Sequence, residues 1–153
     1  MRHRIYNQPK NRMAPFRFQD GGLSLVPASA SHLWSERNDC VVRALANATG
    51  LTYEDAHDLV KWHGRRNGKA TYRTDELLDS LFPGMRIFSI KAFRHDPLMM
   101  ACPTTLGQFI IRHPTGRFVC LKRGHAFAVV NGVVLDRQAI GKATKLTYAT
   151  EIE

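Results

Sequence analysis

The chain of 153 residues contains no apolar run approaching the ~18 residues that a membrane span would need. Its basic N-terminal stretch is followed by no hydrophobic segment of the signal-peptide kind. Cysteine is scarce. The three present, Cys40, Cys102 and Cys120, are odd in number and lack paired spacing, which argues against a disulfide framework and for a reducing compartment. No Cys-x-x-Cys or His-Glu-x-x-His pattern occurs, so neither a metal nor a cofactor is expected. Gly21 and Gly22, and Gly64 and Gly68, read as turns, since none lies between a strand and a helix as a phosphate-binding loop would. These absences lead to the expectation of a soluble, cytoplasmic chain that does not engage membranes. At this length one domain can bury about two-thirds of its unfolded surface without staples.

Negative charge is also in short supply. There are 13 acidic residues against 22 Lys and Arg, giving +9 and a sequence pI near 9.9. The excess is uneven, because residues 1–19 carry Arg2, Arg4, Lys10, Arg12 and Arg17 with no acid among them. A second cluster, Lys61, Arg65, Arg66 and Lys69 with Arg73 beyond, surrounds the turn-like GRRNG. Such patches attract nucleic acid or an acidic partner, but equally serve as solvated, solubilising faces. No helix-turn-helix, zinc-finger or RNA-binding signature accompanies them.

Residues 1–37 lack helical or strand periodicity and are broken by Pro9, Pro15, Gly21, Gly22 and Pro27. They read as a basic extended arm lying on the folded α+β domain of residues 38–153, rather than as a separate domain. A helix is expected from Cys40 to Ala48, with Asn38 or Asp39 as N-cap and Gly50 as stop. A second begins at the capping-box-like Thr52 and Asp55 and stops before Gly64. A third spans Asp75 to Leu81 behind a Thr74 cap. Met85–Ile90 alternates as a strand, and Thr105 with Gln108 opens a short helix through Arg112. Strands then follow at 117–122, 125–130 and 133–136, with a last one within 142–150. Helices before an antiparallel meander make an α+β pattern.

Asn131-Gly132 is the strongest short-range hairpin signal a sequence offers. A two-residue turn there pairs Val130 with Val133, so Phe127 faces Asp136 and His125 faces Gln138. Paired residues share a face, and side chains repeat on it every second position, so all four project to the same side. Asp136 is then diagonal to His125, at roughly 7–8 Å between backbones, a gap that side chains bridge. A carboxylate there fixes the imidazole tautomer and leaves its other nitrogen for a nucleophile. Cys40, at a helix N-terminus, is the candidate: the free amides and partial positive charge favour a thiolate. Asp39 opposes that effect unless it caps the helix and points away. The competing reading is a buried, inert cysteine and a strand histidine with a satisfied hydrogen bond.

Cysteine opening a helix, then histidine on a strand, then aspartate on the next strand resembles the papain-like cysteine peptidase superfamily. The stretches that carry the likeness are NDCVVRALANATG (38–50) and GHAFAVVNGVVLD (124–136). They are similar also to segments of small proteins encoded by tailed bacteriophages. The resemblance covers roughly residues 36–137 and implies a papain-like fold, helices packed on a C-terminal antiparallel sheet. It implies acyl transfer from a protein or peptide amide, with Cys40 as nucleophile, His125 as base and acid, and Asp136 as orienting residue. For a phage-encoded chain, host cytoplasm is the implied location and a host or phage protein the implied target. Where these peptidases often carry an oxyanion-hole glutamine, this chain has Trp34. Asn38, or failing it Gln108, is the expected donor, and Gln138 the expected support. The alternative from a different class is a catalytically silent domain of this type that binds a host protein or nucleic acid through its basic surface.

Overall fold

The structure, a computed structural model, describes residues 12–71, 73–93 and 104–152. Arg2, Arg4, Lys10 and Cys102 lie outside these described residues. Six strands are present: β1 (Phe16–Phe18), β2 (Arg86–Ser89), β3 (Arg117–Lys122), β4 (His125–Val130), β5 (Val133–Asp136) and β6 (Tyr148–Ile152). Among the described residues five α-helices accompany them: α1 (Cys40–Thr49), α2 (Tyr53–Trp62), α3 (Thr74–Leu81), α4 (Ile90–Phe93) and α5 (Leu106–Arg112). One mixed sheet runs in the order β1-β5-β4-β3-β6-β2, antiparallel at every junction except β1 with β5.

Strand alternation sorts the core into two layers. Val119, Leu121, Ala126, Ala128 and Leu135 project to the side covered by α1 and α2, whose Val42, Leu45, Ala56 and Val60 are fully buried there. Phe118, Cys120, Phe127, Val129 and Val134 project to the other side, against Leu106 and Phe109 of α5. Each such large side chain taken from water contributes roughly 1.5–3 kcal/mol. α1 is central because it is apolar nearly all round, and Gly50, at φ 80°, ends it with its amide on the Ala46 carbonyl. The one polar residue deep in this helix is Asn47. It accepts from the Gly21 amide (3.0 Å) and donates to the carbonyls of Gln19 and Leu135 (both 3.3 Å). That clamp fixes the rotation and height of α1 against β5, and hence where Cys40 falls.

Several expectations need correction. The boundary at residues 37 and 38 is no structural border among the described residues. Phe16–Phe18 pairs with Val134–Asp136 as an edge strand, and Ala14, Leu23, Val26 and Leu33 are buried in the core. Gly21, at φ 75°, comes so close to α1 that a Cβ would meet the Arg43 Cα at 2.8 Å. The sheet is accordingly mixed rather than a pure antiparallel meander. Thr74 begins α3 instead of capping it: its hydroxyl donates to the Thr71 carbonyl, and Arg73 (φ 52°) holds the cap position. Thr52 and Thr105 do cap, accepting from the amides of Asp55 (3.1 Å) and Gln108 (3.3 Å).

Candidate active site

The β4–β5 hairpin has the register that the Asn131-Gly132 turn predicts, with Val130 opposite Val133 and Ala128 opposite Leu135. His125 is the first residue of β4 and Asp136 the last of β5, so both stand at the same end of the sheet. Asp136 Oδ2 lies 2.6 Å from His125 Nε2, while Oδ1 accepts from the Arg137 amide at 2.7 Å. The carboxylate is 3% exposed, so both oxygens are committed and the aspartate has little freedom. The imidazole also stacks on Phe127, with centroids 6.2 Å apart and planes 18° off parallel. Two contacts therefore set the ring, and Nδ1 is the nitrogen left over.

Cys40 opens α1 at this same end and is half-buried. Burial would raise its pKa, but hydrogen bonding to the His125 side chain and the Ala126 amide, with the charges of His125 and Arg43, lowers it below the usual thiol value. Conversely, the bonds to Asp136 and to Cys40 outweigh burial and raise the His125 pKa to about 9. The two shifts run toward one state, thiolate beside imidazolium. A cavity of about 410 Å³ opens over the pair, walled by Glu36, Asn38, Arg43, Gly124 and Arg137. Asp39 occupies the N-cap position of α1 but makes no side-chain cap, so the first-turn amides are not taken by it.

Asp39 does point away from the thiol, into an ion pair with Arg43 and a hydrogen bond from Tyr53 Oη (2.7 Å). Its anion is thereby matched by a cation one helical turn on, which removes most of its opposition to the thiolate. The Glu36 side chain is only 5% exposed. Desolvation would raise its pKa, yet the Gly68 amide, Arg65 and His57 hold it below the ordinary carboxylate range. Arg65 Nη2 donates to Glu36 Oε1 (2.7 Å) and to the Arg37 carbonyl (2.9 Å), and His57 Nε2 lies 3.2 Å from Glu36 Oε2. This second buried polar cluster pins residues 36–38, one wall of the cavity, to α2 and the loop after it.

Arg65 therefore does not belong to the basic surface. It is 4% exposed, and its Nη2 is engaged by Glu36 and the Arg37 carbonyl. Arg12, Arg17, Lys61, Arg66 and Lys69 are exposed, as the charge pattern leads one to expect. Asn38 borders the cavity at φ 52°, but its Nδ2 donates to the Gly68 carbonyl at 3.0 Å, so that amide group serves the loop. Gln138 is exposed and does not line the cavity, and Gln108 is engaged in its capping box with Thr105. Trp34 is 55% exposed and sends its indole N–H to the Val26 carbonyl. The first-turn amides of α1, uncapped by Asp39, remain at the helix end that carries the thiol. Sequence reasoning missed Glu36, Arg43 and Tyr53. Only Arg43 carried a signal, its four-residue spacing from Asp39 on one helix. Among the described residues no cluster of His, Cys, Asp and Glu could hold a metal ion, and no helix is long and apolar enough to cross a membrane.

No family model, no curated protein and no solved structure matches the chain.

Proposed function

We propose that this chain is a thiol-dependent acyl-transfer enzyme of papain-like type, a cysteine peptidase or amidase acting on an amide or isopeptide bond of a protein or peptide. The observation that carries the reading is the convergence of Cys40 and His125, far apart in sequence, at the mouth of one cavity, with Asp136 holding the imidazole at 2.6 Å. An inert cysteine needs no such partner.

The chemistry follows from that pair. The Cys40 thiolate adds to the carbonyl carbon, and the negative charge moving onto oxygen is met by first-turn amides and the N-terminal end of the α1 dipole. His125, protonated and turned by Asp136, gives its Nδ1 proton to the departing amine, so the C–N bond breaks and a thioester remains. The now neutral imidazole takes a proton from water. The resulting hydroxide equivalent adds to the thioester, and collapse expels the thiolate and releases the carboxylic acid, with His125 already restored to its protonated form by the water proton. An amine in place of water would make the same sequence a transfer. Asp136 stabilises the imidazolium throughout without itself gaining the proton.

Alkylation by iodoacetamide tests this reading. One thiol should react well below pH 8, and Cys40→Ala should remove that reaction. Equal, slow labelling of wild type and Cys40→Ala below pH 8 would sink the proposal. A second reading, a catalytically silent domain that binds a protein or nucleic acid, is favoured by the exposed cations Arg12, Arg17 and Lys61 and by Trp62, which is 87% exposed. It would require single-stranded nucleic acid binding that weakens steeply with salt and survives Cys40→Ala.

A further inference from the structure

The loop after α2 encloses a second cavity of about 510 Å³, lined by His63, Arg65, Arg66, Lys69 and Thr71 and, among the described residues, by no carboxylate. Its cations are of two kinds. Arg66 and Lys69 are exposed and reach solvent, whereas Arg65 has a side chain wholly sealed from it. Of the five N–H groups on the Arg65 guanidinium, those on Nη2 are used by Glu36 and Arg37. Nε and Nη1 are buried with no hydrogen-bond partner among the described residues, and so is the Thr71 hydroxyl.

Buried donors without acceptors are costly to a folded chain, and a guanidinium with idle N–H groups is the costliest kind. Glu36, behind the wall, balances a single positive charge, and Arg66 and Lys69 have no ion-pair partner among the described residues. The polypeptide is also bent to suit. Gly64 (φ 102°) and Gly68 (φ 72°) take left-handed conformations, and the turn closed by the Lys69 amide on the Arg66 carbonyl (3.1 Å) curls these side chains around the space. The common requirement of such donors is an anion with several acceptor oxygens.

We infer that this cavity is a phosphate-binding site, in which Arg65 and Thr71 supply buried donors and Arg66 and Lys69 the neutralising charge. Phosphate suits it better than carboxylate because the donors are spread over several side chains, more than the two oxygens of a carboxylate can face in one plane. The volume exceeds that of the anion, so the organic part of a phosphate ester fits too. The site stands on its own residues and does not depend on the reading of Cys40.

Titration of the full chain with inorganic phosphate, at fixed ionic strength and with chloride as the replaced anion, tests this. Phosphate should produce saturable heat in calorimetry and raise the melting temperature above that in chloride. Arg66→Ala with Lys69→Ala should weaken binding about tenfold or more, the loss of a charge-assisted hydrogen bond, while melting in chloride alone is unchanged. Thr71→Val, which keeps the volume, should weaken it less. Lys61→Ala, outside the cavity, should have no effect. Acetate binding as tightly as phosphate would overturn the phosphate assignment. A phosphate response identical to chloride, or one untouched by the Arg66/Lys69 double variant, would overturn the site.

Discussion

Cys40 and Cys120 are the same side chain in opposite surroundings. Cys120 sits mid-strand in β3, wholly buried against Phe118, Phe127 and α5's layer, where burial alone pushes its pKa far up. Cys40 is also substantially desolvated, yet its pKa moves down, because an imidazole, an amide and a guanidinium surround it. Burial therefore does not decide what a thiol is for. What decides is whether groups that stabilise the anion share its pocket. Two histidine–carboxylate pairs repeat the contrast. His125 with Asp136 touches a thiol, whereas His57 with Glu36 is tied to Arg65 and serves the fold.

The sharpest way to break the contrast between the thiols is to remove the imidazole. His125→Ala should lower acyl-transfer turnover by about 10²–10⁴-fold. It should also leave Cys40 alkylating below pH 8 no faster than an ordinary exposed thiol, as read from stopped time-course mass spectrometry. Persistent low-pH reactivity would mean that the helix terminus and Arg43, not His125, set the thiolate.

Asp136→Asn should act next most strongly, by about 10²-fold or more, since it removes the charge that holds His125 protonated. Wild-type activity should rise with thiolate formation and fall as the imidazolium is lost near pH 9. In Asp136→Asn that alkaline limb should move to lower pH. Linkage gives the stability a matching sign. The folded His125 pKa is raised, so its contribution is fully present below the unfolded value of about 6.5 and is lost as pH rises through about 9. The wild-type melting temperature should therefore fall relative to Asp136→Asn as pH is raised across that window.

Cys120→Ser carries the smallest effect on chemistry and a purely structural one. A hydroxyl in that apolar layer costs about 1–3 kcal/mol on denaturant unfolding. Labelling of Cys40 should not change. A loss of Cys40 reactivity in this variant would show that the two sites are coupled through the sheet.

Local chemistry made much of the fold legible. Strands β3, β4 and β5, the Asn131-Gly132 turn, and the starts of α2 and α5 follow from turn residues, alternation and caps that act over a few positions. β1 was not legible, because three exposed residues, Phe16, Arg17 and Phe18, offer no burial pattern and are held by backbone pairing to a strand far along the chain. The burial of Arg65 was equally hidden. In sequence it is one cation among four, and only the fold brings Glu36 and the Arg37 carbonyl to it.

By itself the sequence determined that a cysteine would open a helix and that a histidine and an aspartate would share one face of a hairpin. Helix geometry and strand periodicity are properties of neighbouring residues, and they need no distant partner. The tertiary structure decided that the thiol meets the imidazole, that Arg43 and Tyr53 absorb the charge of Asp39, and which cations stay in solvent. Those outcomes depend on how α1 is seated on the sheet, through contacts such as Asn47 on the Leu135 carbonyl that no local pattern encodes. Desolvation and charge act through space, so the chemical character of Cys40 exists only once the chain has folded around it.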